Sequence, residues 1–358
     1  MYLDTASSEP LHPAARDAML AALDRGYADP RRLHGSARDA RLILDNAREA
    51  VAGALGVRRD EVSFTSSGTD AVHRGLLGLA RPGVAVAHAA VEHSAVLHAL
   101  AWRPDLQLRP VRVDHLGRVD LADLGEPDVL ALQSANHEVG TCQPVAEAAG
   151  GSRLVFTDAC ASMGRLPLPD GWSVAAGSAH KWGGPAGVGV LLVRKGTPWR
   201  NPFPPDDRVD ERVAGFENVP AVLGAAAALQ AVVAERDDVN ARQHALVDRI
   251  RARVSTIPDT EVVGDPADRL PHLVTFSFLY VDGEAIVDAL NRRGFEVASG
   301  SACTASTLEP SHVLAAMGVL THGNVRVSLT RDASEAEVDA FCDVLPDVVV
   351  EIRKDAGM

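Results

Sequence analysis

The sequence predicts an α/β fold in which a largely parallel, helix-covered sheet is followed by a small α+β unit. Seven short runs, EVSFT, GVAVAH, LRPVRV, DVLALQS, RLVFTDA, WSVAAGS and VGVLLV, are nearly continuous in apolar residues, as strands covered on both faces should be. Helical segments separate several of these runs, the alternation that joins parallel strands by crossovers. After a helical stretch from Ala221 to Ile250 the order becomes strand, helix, loop, helix, strand, helix, which is an α+β pattern. A length of 358 residues suits one large unit plus a smaller one.

Tyr2 to Pro13 reads as a short extended entry, and Ala14 to Arg25 as an Ala/Leu-rich helix. Asp29-Pro30 breaks the chain, after which HGSARDARLILDNAREAVAGALGV repeats apolar residues at helical spacing. The seven strand runs follow, with an antiparallel strand expected near Val188 to Val193. Gly196 to Asp207, rich in proline and polar residues, reads as a loop. The stretch AVLGAAAALQAVVAERDDVNARQHALVDRI reads as one long helical segment fit to connect two units. Beyond it come strand LVTFSFL, helix GEAIVDALNRRG, a loop holding Cys303, short helix PSHVLAAMG, strand NVRVSLT and helix SEAEVDAFCDVL. No internal repeat or low-complexity tail stands out.

A composition of 46% hydrophobic and 23% charged residues supports a substantial core. The formal net charge of -13 argues against nonspecific binding to nucleic acid or an anionic membrane. Four scattered cysteines, Cys142, Cys160, Cys303 and Cys342, form neither a disulfide framework nor a zinc pattern, and no metal site is expected. The first residues, MYLDTASSEP, lack a secretory h-region, and no apolar run approaches membrane-spanning length; a cytoplasmic, soluble protein is the expectation.

Lys181, in SAHKWGGPAGVG, follows Ser178 and His180 and precedes a glycine-rich turn. A lysine beside an aldehyde cofactor forms a Schiff base and later shuttles protons; the competing reading is a surface lysine in a turn. Asp158 ends the strand LVFTDA, where α/β ligands sit, and a carboxylate there keeps a pyridine nitrogen protonated; otherwise it is a helix cap or turn residue. In FTSSGTDAV a strand enters a small-residue turn and then a helix. Gly68 and Thr69 would hold a phosphate at that helix start, unless the turn is merely a capped junction. His93, at another strand-to-helix junction, could stack on a ring and exchange a proton, although with 13 histidines any one starts as an ordinary residue. Cys303 in SGSACTAS suits a thiolate nucleophile, while Cys142, Cys160 and Cys342 read as quiet or buried. Arg326 is a charge on an apolar strand and needs a partner: a substrate carboxylate or a structural salt bridge.

With these segments in register, the sequence resembles the cysteine desulfurases, fold-type I pyridoxal phosphate enzymes of the class V aminotransferase group. The likeness runs through YLDTAS, DPRRLHG, FTSSGTD, VEHSAV, ANHEVGTCQP, DACASMGRLP, SAHKWGGPAGVG, FENVP, SGSACTASTLEPSHVLAAMG and VRVSLTR. It implies a large cofactor-binding domain over residues 14–240 and a small domain from 1–13 and 241–358 that carries the cysteine loop. It further implies Lys181 as the Schiff-base lysine, His93 as the stacking histidine and Asp158 as the pyridine partner. Gly68, Thr69, His137, Ser178 and His180 become cofactor contacts, Cys303 the persulfide cysteine and Arg326 the substrate-carboxylate arginine. Three positions depart from the family pattern: His137 replaces an asparagine, Ala161 a glutamine, and Phe216 a threonine that usually reaches the neighbouring subunit's phosphate. Loss of polar partners should weaken or reorient the cofactor unless His137 and waters compensate.

The activity so implied is conversion of L-cysteine to L-alanine, with sulfur carried as a persulfide on Cys303 to an acceptor protein. His93 is the expected proton source, and a homodimer is expected. Met358 follows soon after the last helix, without the longer tail by which housekeeping members dock an iron-sulfur scaffold, which suggests a dedicated acceptor. Two alternatives remain: a selenocysteine lyase or direct carbon-sulfur lyase that dispenses with Cys303, and a non-catalytic dimeric sulfur-relay or scaffold protein.

Overall fold

The computed structural model of the chain describes residues 1–204, 206, 210–299, 310–355 and 357. Its strands are β1 Val62–Thr65, β2 Ala85–Ala89, β3 Gln107–Val111, β4 Val129–Ala131, β5 Leu154–Asp158, β6 Val174–Ser178, β7 Gly189–Val193, β8 Thr260–Val263, β9 Leu273–Phe278 and β10 Asn324–Ser328. Its α-helices are α1 Pro13–Leu23, α2 Gly35–Leu55, α3 Gly68–Leu79, α4 Ser94–Ala101, α5 Val145–Ala148, α6 Val219–Ala234, α7 Arg236–Val254, α8 Gly283–Arg292, α9 His312–Met317 and α10 Glu335–Asp355.

The first seven strands form one sheet in the order β1-β7-β6-β5-β4-β2-β3. Strands β2 to β6 pair in parallel, and β7 runs antiparallel to both β6 and β1. Every residue of β1, β4, β6 and β7 is buried, which is why these runs carry no polar alternation. Because β7 opposes both of its neighbours, β1 points the same way as β6. The carboxyl ends of β1, β2, β4, β5 and β6 therefore open on one edge of the sheet, where ligands of open α/β sheets bind.

Strands β8 to β10 form a second, antiparallel sheet in the order β10-β9-β8. Its core gathers Phe276, Phe278, Val325 and Val327 with Leu246, Val247, Ile250 and Val254 of α7 and Phe341, Leu345 and Val349 of α10. Leu3 joins this core from the chain's other end. Residues 2–12 form a strap: Tyr2 and Asp4 bridge to Glu296 and Ser328. Farther on, Glu9 and His12 donate their backbone N–H groups to His180 O and Gly183 O, each at 2.8 Å.

Two helical expectations need correction. The stretch 221–250 is not one helix: α6 ends at Ala234, and α7 starts after Glu235 at an angle of 70°. Helix α6 is buried on most sides, whereas α7 is polar except for its stripe Val239, Leu246, Val247, Ile250 and Val254, so the two follow different surfaces. Helix α10 runs through Pro346 to Asp355, well past the expected end. Val338, Phe341, Cys342, Leu345, Val348 and Val349 recur at helical spacing, and their burial outweighs the lost hydrogen bond at the proline. Strand β8, TEVV, went unread because two of its four residues are only partly buried and one is exposed.

Among the described residues, three helices begin on a histidine. The Nδ1 atoms of His12, His34 and His93 accept backbone N–H groups of Ala14, Ala37 and Ala95 at 3.1, 3.3 and 3.1 Å. Among the described residues no single helix is long and apolar enough to cross a membrane.

Candidate active site

The loops that leave the shared edge of the large sheet enclose a cavity of about 310 Å³. Gly68, Thr69, His93, His137, Asp158, Ser178, His180, Lys181 and Arg326 all line it. Cys303 lies outside the described residues.

At one end stands the first turn of α3. Ser67 is its N-cap; its Oγ accepts the Asp70 N–H at 3.0 Å and its carbonyl accepts the Ala71 N–H at 3.0 Å. The earlier N–H groups, those of Gly68 and Thr69, belong to the unpaired set of a helix start, where an anion is favoured. A Cβ on Gly68 would lie 2.5 Å from Ser178 Cβ. Glycine is thus what lets this turn press against the end of β6. Ser178 Oγ lies 3.1 Å from His180 Nδ1, which fixes the hydroxyl beside the same turn.

Asp158 sits at the end of β5, 6% exposed, with Oδ1 accepting the Cys160 N–H at 2.9 Å. The Cys160 thiol is also turned on this carboxylate, and burial with the adjacent negative charge pushes its pKa well up. Burial likewise raises Cys142 to about 12 and Cys342 to about 11. Burial thus favours the protonated thiol, the poorer nucleophile, at each of the three described cysteines.

Lys181 follows β6 in a short 3-10 turn that is held by Trp182, whose indole N–H donates to Ala225 O at 3.0 Å. Among the described residues the Lys181 amine has no hydrogen-bond or ion-pair partner. His137 is placed by a turn built on Asn136, whose Oδ1 accepts the N–H groups of Glu138 and Val139, both at 2.8 Å. Burial first, then His93, Lys181 and Arg326, drive the His137 pKa well below the usual imidazole value. Its Nδ1 is buried without a partner among the described residues. The His93 ring meets it edge-on, centroids 4.8 Å apart. Burial also lowers the His93 pKa, and because an amide can only donate, Nδ1 is an acceptor and the neutral ring carries its proton on Nε2.

Arg326 is 4% exposed on β10. Of the two partners the sequence allowed, the structure supplies the internal one: Nη2 donates to Asp4 Oδ1 at 2.8 Å. It also donates to Ser7 Oγ at 2.7 Å, and Nη1 donates to His137 O at 3.2 Å. Sequence reasoning did not find Asp4, Ser7, Gln133 or Cys160 at this site. Only an undirected polar N-terminal stretch signalled Asp4 and Ser7, since 322 and 319 positions separate them from Arg326. Of the three unusual positions, His137 and Ala161 line the cavity. Phe216 stands apart, 52% exposed, at a depression shared with Thr65, Ser66 and Asp70.

The chemistry of this wall is specific. A helix start, an imidazole, a buried carboxylate and an amine without a partner among the described residues converge on one space, and the His137 nitrogen orphaned among those residues adds a further polar group. That set fits pyridoxal phosphate: Gly68, Thr69, Ser178 and His180 could hold its phosphate, His93 and His137 could meet its ring, Asp158 could pair with its nitrogen and Lys181 could react with its aldehyde.

The family profile described as "Aminotransferase class-V" matches residues 1–341. The chain is 33% identical to "Cysteine desulfurase IscS" of Dictyoglomus turgidum, over 99% of this chain and 95% of that protein. It is 35% identical to "Cysteine desulfurase" of Cereibacter sphaeroides, over 99% and 96% respectively. A solved structure titled "NIFS-LIKE PROTEIN" superposes with a TM-score of 0.90 at 27% identity, over 98% of this chain and 99% of that one.

Proposed function

The chain belongs to the class V aminotransferase family, in its cysteine desulfurase branch, and from that premise we propose that it converts L-cysteine to L-alanine and carries the sulfur as a persulfide on Cys303. The observation that supports this most is the convergence of Lys181, Asp158, His93 and the first turn of α3 on one cavity.

Pyridoxal phosphate is the cofactor of this reading, and when bound it supplies the electron sink that weakens the substrate's Cα–H and Cβ–S bonds. Lys181 would hold the cofactor and, once released, move the proton at the substrate's Cα. Asp158 would keep the ring nitrogen protonated. His93 would cover the ring, with Nε2–H as the hydrogen it has left to donate once Nδ1 accepts the Ala95 amide. Arg326 binds the substrate carboxylate. The Cys303 thiolate takes the substrate sulfur; one cysteine and one enzyme thiol become one alanine and one enzyme persulfide. Delivery to an acceptor protein follows. A homodimer in the cytoplasm, with a large unit over 14–240 and a small one from 1–13 and 241–358, completes the reading.

The test is to incubate the purified, cofactor-loaded protein with L-cysteine, quantify alanine and sulfide, and locate the persulfide by mass spectrometry. Cys303→Ser should abolish sulfur release while the cofactor's visible absorption stays. Undiminished turnover in that variant would favour a direct lyase, and the absence of any borohydride-sensitive absorption would favour a scaffold.

A further inference from the structure

The guanidinium of Arg326 lines the cavity but is already engaged from within the chain. Its Nη2 donates to Asp4 Oδ1 at 2.8 Å and to Ser7 Oγ at 2.7 Å, while Ser7 Oγ donates to the same Asp4 oxygen at 2.9 Å. These three groups form a ring of hydrogen bonds in which both Nη2 hydrogens are occupied. A guanidinium offers two planar edges to a carboxylate, Nε with Nη2 and Nη1 with Nη2, and both include Nη2. Nε is buried without a partner among the described residues, and Nη1 holds His137 O at 3.2 Å. A two-point grip on an incoming carboxylate therefore requires that Asp4 or Ser7 let go.

We propose that Asp4 and Ser7 are an internal stand-in for the substrate's carboxylate: they occupy Arg326 in the free enzyme, are displaced when the substrate docks, and so set its affinity. This rests on Arg326 as the substrate-carboxylate residue. The strap that carries the pair is fixed by its backbone. Ser328 N donates to Leu3 O at 2.8 Å, Ala6 N to Ser328 Oγ at 2.9 Å, and Thr5 Oγ1 to Leu329 O at 3.0 Å. The exchange thus needs only side-chain rotation, and Asp4, with its side chain 24% exposed, has water to turn toward. An arginine that already holds a carboxylate gains less from a second one than an arginine left without a counter-ion. The arrangement lowers affinity for every carboxylate and keeps a buried cation compensated between turnovers.

The test compares the wild type with Asp4→Asn, Ser7→Ala and Arg326→Gln. The cofactor-loaded enzyme is titrated with L-alanine and with L-alaninamide, read by the cofactor's absorption, and the cofactor-free protein is titrated with propionate and with propionamide, read by thermal shift. Asp4→Asn should bind both carboxylates about tenfold tighter, with the amides unchanged. Ser7→Ala, which keeps the charge and serves if the asparagine variant fails to fold, should tighten them by about threefold. The KM for cysteine should fall in parallel. If Arg326→Gln leaves carboxylate binding intact, the assignment of Arg326 itself is wrong. If Arg326→Gln weakens binding while Asp4→Asn and Ser7→Ala do not tighten it, Arg326 stands and the stand-in is refuted. Equal tightening toward acids and amides would also refute it, because Asp4 would then only shape the cavity.

Discussion

His93 and His137 touch edge to face, ring centroids 4.8 Å apart and planes at 78°, in a wall that also holds Lys181 and Arg326. Burial lowers both imidazole pKa values, and neighbouring positive charge lowers that of His137 further. The pair is therefore neutral at neutral pH, and His93, with Nδ1 committed to the Ala95 amide, has Nε2–H alone to offer. To act as a net proton source it would first have to take a second proton on Nδ1 and release its helix. Hydrogen-bond donation and ring stacking are the roles this geometry favours.

The first prediction concerns that pair. In an NMR titration, neither ring should change protonation between pH 8 and about 6.5, the ordinary histidine value. The sign for stability follows. With the folded pKa depressed, the unfolded chain binds more protons as pH falls below the ordinary value, so stability present at neutral pH declines on acidification. His137→Asn should lose less stability than the wild type between neutral pH and pH about 5.5 in urea unfolding. A His137 ring that titrates above its ordinary value would overturn the argument.

A second prediction lies beside it at Glu138. Burial raises this carboxyl to about 7, against which the hydrogen bond from Ser311 Oγ, 2.8 Å to Oε2, acts weakly. The folded chain keeps its proton where the unfolded chain has lost it, so this group's contribution to stability falls as pH rises from 4.5 toward 7. Glu138→Gln keeps an acceptor for Ser311 and removes the charge. It should be more stable than the wild type at pH about 8 by up to about 3 kcal/mol, with the gain shrinking at acid pH. A gain independent of pH would show that the carboxyl is not buried as an acid.

Gly68 provides a third. A methyl there would meet Ser178 Cβ at 2.5 Å, Ser178 Oγ at 2.7 Å and Cys160 Sγ at 3.2 Å. Gly68→Ala must push the first turn of α3 off the end of β6, at a cost of about 1–3 kcal/mol. Cofactor affinity, measured by absorbance titration of the cofactor-free protein, should fall at least about tenfold, since the displaced N–H groups no longer face the phosphate. Unchanged affinity would mean the phosphate sits elsewhere.

Strands β1, β4, β6 and β7 were legible because every residue in them is buried and they are written in nearly unbroken small or apolar letters. Strand β3, by contrast, is exposed at four of its five residues and was legible from its place in the strand-helix alternation; β7 was recognisable as the antiparallel member. Local patterning also marked Gly68, Asp158 and Lys181, which lie at strand ends beside small residues. What could not be read was decided at long range. The break at Glu235 depends on which surface each helix covers, and the continuation through Pro346 depends on Val348 and Val349 finding a core. Asp4 and Ser7 reach Arg326 only because the strap pairs with β10, a relation that no window of sequence contains.

The histidine caps on α1 and α4 have a consequence for behaviour in acid. An imidazole that gains a proton on Nδ1 turns from acceptor to donor and faces an amide N–H it can no longer receive. It also places positive charge at the positive end of a helix. Conventional serine or aspartate caps do not reverse polarity in this way. Burial holds the caps of α1 and α4, His12 and His93, below the usual imidazole value, so only acid beyond the ordinary histidine range would unfasten those two helix starts, and His93 lines the cavity that also holds Lys181.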